Sequence, residues 1–323
     1  MASTASEFKL IKSEDPTLKI DVIDLINQLW SQPITKRHLP CPNPSNLERK
    51  DLHLISSQKY VTSPKIDGVR MFLLLGSMAN TEQEYSVFIN RAYDIFPIQL
   101  PVEHQGLFDG TLLDGELTQK VDGNFRYTVF DAVAVEGYDL KVFPFTQRQA
   151  AYEGAVAALY NINGLTFVPK LWVPLEYAAT VFRENQQTSD GLILQPLNGK
   201  LKAGIQPEVF KWKPVNKQSV DFYISNQNGA TILECGNGPD IIDANRIHCY
   251  LETCYTEKGS FMVAQKKQVY ECSLTRFEGE KLFFTVVKPR KDKQYANDAR
   301  VVISTLKSIE EDISVEELVG LSQ

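Results

Sequence analysis

The sequence predicts an α+β protein: a large first domain of antiparallel sheets with helices, then a small β-barrel and terminal helices. Three observations carry this. From Tyr60 onward, short β-type runs are separated by turn residues, with helical patterns between them but no regular β-α-β alternation, which points to antiparallel sheet. After Lys213-Pro214 the strand-like runs crowd together, as in a barrel of about 80–90 residues. The 323 residues also suffice for two domains of ~100–200 residues each. The breaks give domains at 1–216 and 217–300, with terminal helices at 301–323 expected to pack back on the first domain.

Taken in order, residues 1–20 read as polar and irregular. Val22, Leu25, Ile26 and Leu29 then fall at helical spacing behind Asp21, predicting a short helix that ends near Trp30. Prolines at 33, 40, 42 and 44 predict extended chain. Strands are expected at Arg70–Leu75, Tyr85–Asn90, Leu112–Leu117, Phe125–Val135 and Gly191–Gln195. Thr146-Gln-Arg-Gln149 reads as a capping box opening a helix, and a further helix is expected over Leu175 to Glu184. The barrel strands are Val220–Ile224, Thr231–Glu234, Gln268–Leu274 and Lys281–Val287, with turns at Asn228-Gly229 and Glu278-Gly279. Val302, Leu306 and Ile309 share one face of a last helix, and Ser314-Val-Glu-Glu317 forms a second capping box.

Lys plus Arg is 34 and Asp plus Glu is 40, a net charge of −6. That excludes a protein that coats nucleic acid without specificity, though not one that grips a single polyphosphate in a basic cleft. Apolar runs such as Met71 to Leu75 are far short of the ~20 residues a membrane span needs. The N-terminus carries no basic stretch followed by an apolar one, so no signal peptide is expected. The cysteines at 41, 235, 249, 254 and 272 include no C-x-x-C, and His248 beside Cys249 has no matching pair. Free thiols in a reducing compartment follow, hence an intracellular protein of nucleus or cytoplasm, not a secreted one.

Short charged elements recur in a fixed order. Lys65-Ile-Asp67-Gly68-Val-Arg70 lies between a predicted turn at Ser63-Pro64 and a strand. Asn90-Arg91, Asp114-Gly-Glu116, Phe130-Asp131, Asp190-Gly-Leu-Ile193 and Lys211-Trp-Lys213 follow, then Arg290-Lys-Asp292-Lys293. Each alone has a plain structural explanation: Asp-Gly is a common turn, and Lys-x-Lys a common solvated strand face. Together they supply what nucleotidyl transfer requires. Lys65 is a potential nucleophile, and Lys211, Lys213, Arg290 and Lys293 can neutralise a triphosphate. Glu116 and Asp190 can offer oxygen ligands to Mg²⁺ or Mn²⁺. Phe130 and Ile193 can clamp a base. Neither a P-loop nor a G-x-G-x-x-G after a strand is present.

In this order the motifs resemble the covalent nucleotidyltransferases, which include ATP-dependent ligases and mRNA capping guanylyltransferases. The likeness is to the capping branch, and closest to the compact guanylyltransferases of large DNA viruses. Pro42-Asn-Pro-Ser45 with Arg49, Ile89-Asn-Arg91, Phe210-Lys-Trp-Lys-Pro214 and Pro289-Arg-Lys-Asp-Lys293 followed by Ala-Asn-Asp at 296–298 carry it. Asn90 stands where the family has Asp, and Phe284 where it has Trp.

The resemblance implies an mRNA guanylyltransferase with an OB-fold as its second domain. Lys65 attacks the α-phosphorus of GTP, pyrophosphate leaves, and GMP passes to a 5′-diphosphate RNA end. Arg70 and Arg91 then belong near phosphate and ribose, Glu116 on the ribose or metal, and Asp190 on the metal. Phe130 and Ile193 sandwich guanine, and Lys170 reads its O6. Asp67 belongs to the nucleophile motif, and Lys211 and Lys213 face the transferring phosphate. Arg290, Asp292 and Lys293 orient the β- and γ-phosphates after a closure hinged near Pro214–Ser219. An RNA triphosphatase and a cap methyltransferase are expected as separate proteins. The rivals are an ATP-dependent polynucleotide ligase using the same lysine, and a non-catalytic nucleotide sensor.

Overall fold

The computed structural model describes residues 8–31, 39–227, 230–236, 253–256, 268–278, 281–290, 293 and 295–322. The chain divides into two compact units, one built mainly of residues up to Ser45 and His53–Lys211, the other of Asn46–Leu52 and Trp212–Leu318.

The first unit begins with helix α1 (Pro16–Trp30), strand β1 (Pro42–Asn46) and the short helix α2 (Leu52–Ser57), whose first residue falls in the second unit. Strands β2 (Tyr60–Ile66), β3 (Val69–Ser77), β4 (Glu84–Asn90), β5 (Ile95–Ile98), β6 (Thr111–Gln119), β7 (Phe125–Val135) and β8 (Tyr138–Asp139) follow. Helix α3 (Phe145–Ala157), β9 (Leu165–Pro169), β10 (Val173–Pro174), α4 (Ala178–Glu184), β11 (Ser189–Pro196) and β12 (Gly204–Trp212) complete it.

A seven-stranded sheet runs in the order β5-β4-β3-β6-β7-β8, with β9 added parallel to β7. Both of its faces are buried, which is why β3 reads as an unbroken apolar run. Met71, Leu73 and Leu75 pack on one side with Phe145, Tyr152 and Val156 of α3. Phe72 and Leu74 pack on the other with Val22, Ile26 and Trp30 of α1. A second, five-stranded sheet runs β1-β12-β11-β2-β10.

Three local expectations need correction. Helix α1 starts at Pro16, not behind Asp21: the Asp15 carboxylate accepts from the Thr17 and Leu18 N–H groups, and Pro16 takes the first helical position. These first turns are largely exposed, so apolar spacing did not mark them. Helix α3 starts at Phe145 with no side-chain cap, and the Thr146 N–H goes to the Leu197 carbonyl at 3.3 Å. Thr146 is thus inside the first turn. Ser63-Pro64 is strand, not turn: Ile193 pairs with Ser63 and Leu192 with Pro64. Strand β10 meets β2 only at Val61 and Thr62, so at Pro64 the other edge needs no donor.

The second unit is a closed barrel of β13 (Val220–Gln227), β14 (Ala230–Glu234), β15 (Thr253–Thr256), β16 (Val269–Glu278) and β17 (Lys281–Pro289), ordered β13-β14-β15-β17-β16. Its pairs are antiparallel except β15 with β17, the OB-type closure. The Asn228-Gly229 turn and Gly279 lie outside the described residues. Phe284 is fully buried against Phe222, ring centroids 5.1 Å apart. Helices α5 (Ala299–Glu311) and α6 (Val315–Gly320) close the chain. The sequence expectation has 301–323 folding back on the first domain; Val302 and Leu306 of α5 are buried in the barrel core, and the last residues, Val319–Gln323, group with the first unit. The second capping box is present: Ser314 Oγ accepts from the Glu317 N–H at 3.1 Å, and the Ser314 N–H donates to Glu317 at 3.3 Å. Among the described residues no helix is long and apolar enough to cross a membrane.

Candidate active site

Lys65 sits one residue before the end of β2. The Nζ lies 2.9 Å from Asp190 Oδ1 on β11, each side chain about a quarter exposed. Beside them Ser189 Oγ donates to the Lys65 carbonyl at 2.9 Å, and the β11 ladder shifts register between Ser189 and Leu192. That irregularity re-aims Asp190 toward the lysine.

The turn between β2 and β3 presses flat onto β6. Its Gly68 N–H donates to Glu116 Oε1 at 3.1 Å. A Cβ at position 68 would stand 2.6 Å from the Leu117 carbonyl oxygen, so no side chain fits. The glycine of the Lys65 motif is there for close approach, not for an unusual φ.

Arg70, opposite Glu116 in the β3–β6 ladder, donates from Nε to Asp114 Oδ1 at 2.8 Å and from its second nitrogen to Oδ2. Its guanidinium also lies over the Phe130 ring, 5.2 Å from the centroid. The resemblance puts Arg70 by phosphate and ribose; in this structure its fork is filled by a buried carboxylate. Burial pushes the Asp114 and Glu116 carboxyls above their usual range, against the pull of Arg70 on both. Lys65 and Lys170 also favour the ionised Glu116.

Phe130 reaches the site through a bulge. Asp114 pairs with Asp131 and Gly115 with Val129, leaving Phe130 as the extra residue of β7. Lys170, directly after β9, is 7% exposed, with Nζ 5.6 Å from the Phe130 centroid and 5.2 Å from that of Trp172. Burial lowers its ammonium to about 7; Glu116 opposes this, and Lys65 and Arg70 reinforce it. Trp172 is held by its own Nε1–H, which donates to the Tyr152 hydroxyl at 3.1 Å.

Two groups went unrecognised in the sequence. Asp114 has no role of its own in the sequence reading, where it stands beside Glu116 in an expected strand. Asp131, the cross-strand neighbour of Asp114, takes two hydrogen bonds from buried Arg148 at 2.8 and 2.9 Å. The signal was available: Arg148 falls on the apolar stripe Phe145, Tyr152, Ala155 of α3, and an arginine there needs a carboxylate.

Asn90 Oδ1 accepts from the N–H groups of Ala92 and Asp94, both at 2.9 Å, and its Nδ2 donates to Asp94 Oδ2 at 3.0 Å. An Asp at 90 would repel Asp94, which accounts for the departure from the family pattern. Arg91 on this turn is exposed and acts on Asp114 through its charge. Asp67 is exposed at the turn and Ile193 half-buried on β11. Lys211 and Lys213 are half-buried and alternate with buried Phe210 and Trp212. In the barrel unit, Arg290 and Lys293 both meet Asp221; Asp292 lies outside the described residues.

No cluster of three or more His, Cys, Asp or Glu suited to a metal occurs among the described residues. A hard divalent cation held by one or two carboxylates plus substrate phosphates needs none, so the oxygen-only set of Glu116 and Asp190 fits it.

Lys65 paired with Asp190, a buried carboxylate and an aromatic ring with cations over it make up the site of a nucleotidyltransferase. The family model "mRNA capping enzyme, catalytic domain" matches residues 8–215, and "mRNA capping enzyme, C-terminal domain" matches 217–319. The chain belongs to the mRNA capping enzyme family. It is 23% identical over 319 residues to the mRNA-capping enzyme subunit alpha of Schizosaccharomyces pombe, covering 86% of this chain and 78% of that one. Against the Neurospora crassa subunit alpha the identity is 25% over 345 residues, covering 87% and 83%. The mRNA-capping enzyme of Danio rerio is 28% identical over 204 residues, 57% of this chain but only 34% of that protein. Among solved structures, a mycobacterial DNA ligase D complexed with ATP and MES aligns with a TM-score of 0.45 at 14% identity, over 81% of this chain and 97% of that one.

Proposed function

We propose that the protein is a GTP:RNA guanylyltransferase that works through a GMP adduct on Lys65. The observation that carries this is the Lys65–Asp190 pair at 2.9 Å, set in a motif whose glycine is pressed against the Glu116 strand. To attack, the Lys65 ammonium must shed a proton, and the Asp190 carboxylate is the acceptor within reach. Nζ then forms a P–N bond to the α-phosphorus of GTP while the bond to the β-phosphate oxygen breaks, and pyrophosphate leaves with the electron pair. In the second step an oxygen of an RNA 5′-diphosphate attacks the same phosphorus. The P–N bond breaks, and the lysine nitrogen regains a proton as the GpppN end departs.

Phe130 and Ile193 hold the guanine, and Lys170 donates to its O6. Arg70 and Asp114 keep the Phe130 ring in place, and Arg91 with Lys211 and Lys213 faces phosphate. Arg290, Asp292 and Lys293 serve the β- and γ-phosphates. Glu116 and Asp190 would hold Mg²⁺ or Mn²⁺, which when bound supplies positive charge to the phosphates. The triphosphatase and methyltransferase steps fall to other proteins, inside the cell. The test is incubation with labelled GTP or ATP, followed by mass mapping. GTP label on the peptide containing Lys65, lost in Lys65→Arg, is expected. Label from ATP alone would make the protein a ligase, and label elsewhere would remove Lys65 from the mechanism.

A further inference from the structure

Asp221, at the start of β13, is 4% exposed and doubly pinned by its backbone. Its N–H donates to Asn297 Oδ1 at 2.8 Å, and its carbonyl accepts from the Asn297 N–H at 2.7 Å. Both carboxylate oxygens lie 3.3 Å from one Arg290 nitrogen, and Lys293 Nζ meets Oδ2. Glu271, cross-strand from Asp221, is 3.8 Å from Arg290 and 3.5 Å from Lys288, and accepts from Ser219 at 2.7 Å. Neither Asp221 nor Glu271 stood out in the sequence, and Asn297 only as the middle of the Ala-Asn-Asp run at 296–298.

Two cations three positions apart repel and, on long side chains, carry much rotamer freedom that binding must remove. A carboxylate that cannot swing away removes both difficulties. From this geometry we infer that Asp221, clamped by Asn297, is the positioning residue that holds Arg290 and Lys293 together as one phosphate-binding cation pair. The inference rests on the proposed function, which makes the β- and γ-phosphates their ligand. Because pyrophosphate departs after the first step, the positioning acts on adduct formation and its reversal, not on transfer to RNA.

The experiment compares wild type and Asp221→Asn in three reactions: adduct formation across GTP concentrations, pyrophosphate-driven reversal of isolated adduct, and transfer from isolated adduct to diphosphate-ended RNA. The variant should show a KM for GTP and for pyrophosphate raised at least about tenfold, with RNA transfer unchanged within about twofold. In a background with both Arg290→Ala and Lys293→Ala, Asp221→Asn should add nothing, since it acts through those two residues. Asn297→Ala, which leaves every charge in place, should give the same split with smaller amplitude, and it decides the matter if Asp221→Asn does not fold. Unchanged KM values, equal losses in all three reactions, or a further loss on top of the Arg290→Ala, Lys293→Ala pair would each overturn the inference. A wild-type protein that takes no label from GTP removes the proposed function and this inference with it, whereas normal wild-type labelling with an unaffected Asp221→Asn removes the inference alone.

Discussion

Replacing Gly68 by Ala tests the site through one methyl group. The new Cβ would stand 2.6 Å from the Leu117 carbonyl oxygen and 2.7 Å from Thr118 Cγ2, where ordinary contact begins near 3.4 Å, so the gap must widen by about 0.8 Å. The Thr118 methyl can turn aside. The Leu117 oxygen cannot, because β6 is laddered to β3 on one side and β7 on the other. The turn at 66–69 must therefore lift, and the Gly68 N–H then leaves Glu116. Overpacking costs ~1–3 kcal/mol and loss of a hydrogen bond to a carboxylate ~1.5–3; one displacement serves both, so about 2–4 kcal/mol is expected. Lys65 lies three residues upstream, and a shift of this order at a nucleophile costs on the order of 100-fold in rate. Single-turnover labelling from GTP reads the rate, and thermal melting reads the stability. Gly154→Ala is the control: nothing lies within 4 Å of its Cβ position on α3, and it should be neutral or stabilising. Labelling by Gly68→Ala at close to the wild-type rate would refute the close-approach argument.

Burial holds Lys170 near 7 against an ordinary 10.5, so between those values the unfolded chain binds the extra proton. The penalty is absent above 10.5 and complete below about 7, so stability should rise with pH across that window in wild type and not in Lys170→Met, as melting curves would show. A guanine carbonyl restores the charge, so GTP binding should take up a proton. The GTP affinity of wild type relative to Lys170→Arg should fall about tenfold between roughly pH 6 and 8, and a flat ratio removes the O6 contact. Arg148→Met strands a buried Asp131 and should cost about 3–5 kcal/mol in chemical denaturation. Arg290→Ala should slow adduct formation far more than RNA transfer from isolated adduct; equal damage in separate half-reaction assays would end the division of labour between steps. Asn90→Asp sets a like charge against Asp94 and should raise the KM for GTP while lowering stability by about 1 kcal/mol; a neutral result would remove that account of Asn90.

The architecture was legible where periodicity and motif agreed. The strand that holds Leu112 to Leu117 and the apolar run after Arg70 could be drawn from alternation and β-propensity, and the barrel from close strand spacing. Lys65, Glu116, Phe130 and Lys170 were legible as a set because their order is specific. What escaped depends on partners far along the chain. Asp114 and Arg70 are 44 positions apart and Asp131 and Arg148 are 17 apart, and nothing local says which carboxylate will neutralise which guanidinium. Asp221 is hidden the same way, inside a strand whose neighbours Val220 and Phe222 suggest only core. Ser63-Pro64 misled because proline usually ends a ladder, and only the short reach of β10 explains its tolerance.

The bulge at Phe130 has a partner. Between Phe125 and Ala134 β7 runs ten residues against the eight of β6 from Gln119 to Leu112, the surplus being Phe130 and Val133. The first surplus residue reverses the parity of the strand and the second restores it: Tyr127 and Val129 share a core with Ala132, whereas Val133 and Ala134 lie in the opposite one. Phe130 is thus supernumerary to a ladder that would close without it. Deleting both extra residues would leave a plain strand and no ring beneath Arg70 and Lys170. Deleting Phe130 alone would keep every remaining pair, Val129 opposite Gly115 and Asp131 opposite Asp114, and so leave the faces of β7 as they are. A ring presented this way is acquired or lost by a one-residue change of chain length, and a comparison that counts only substitutions passes over the event.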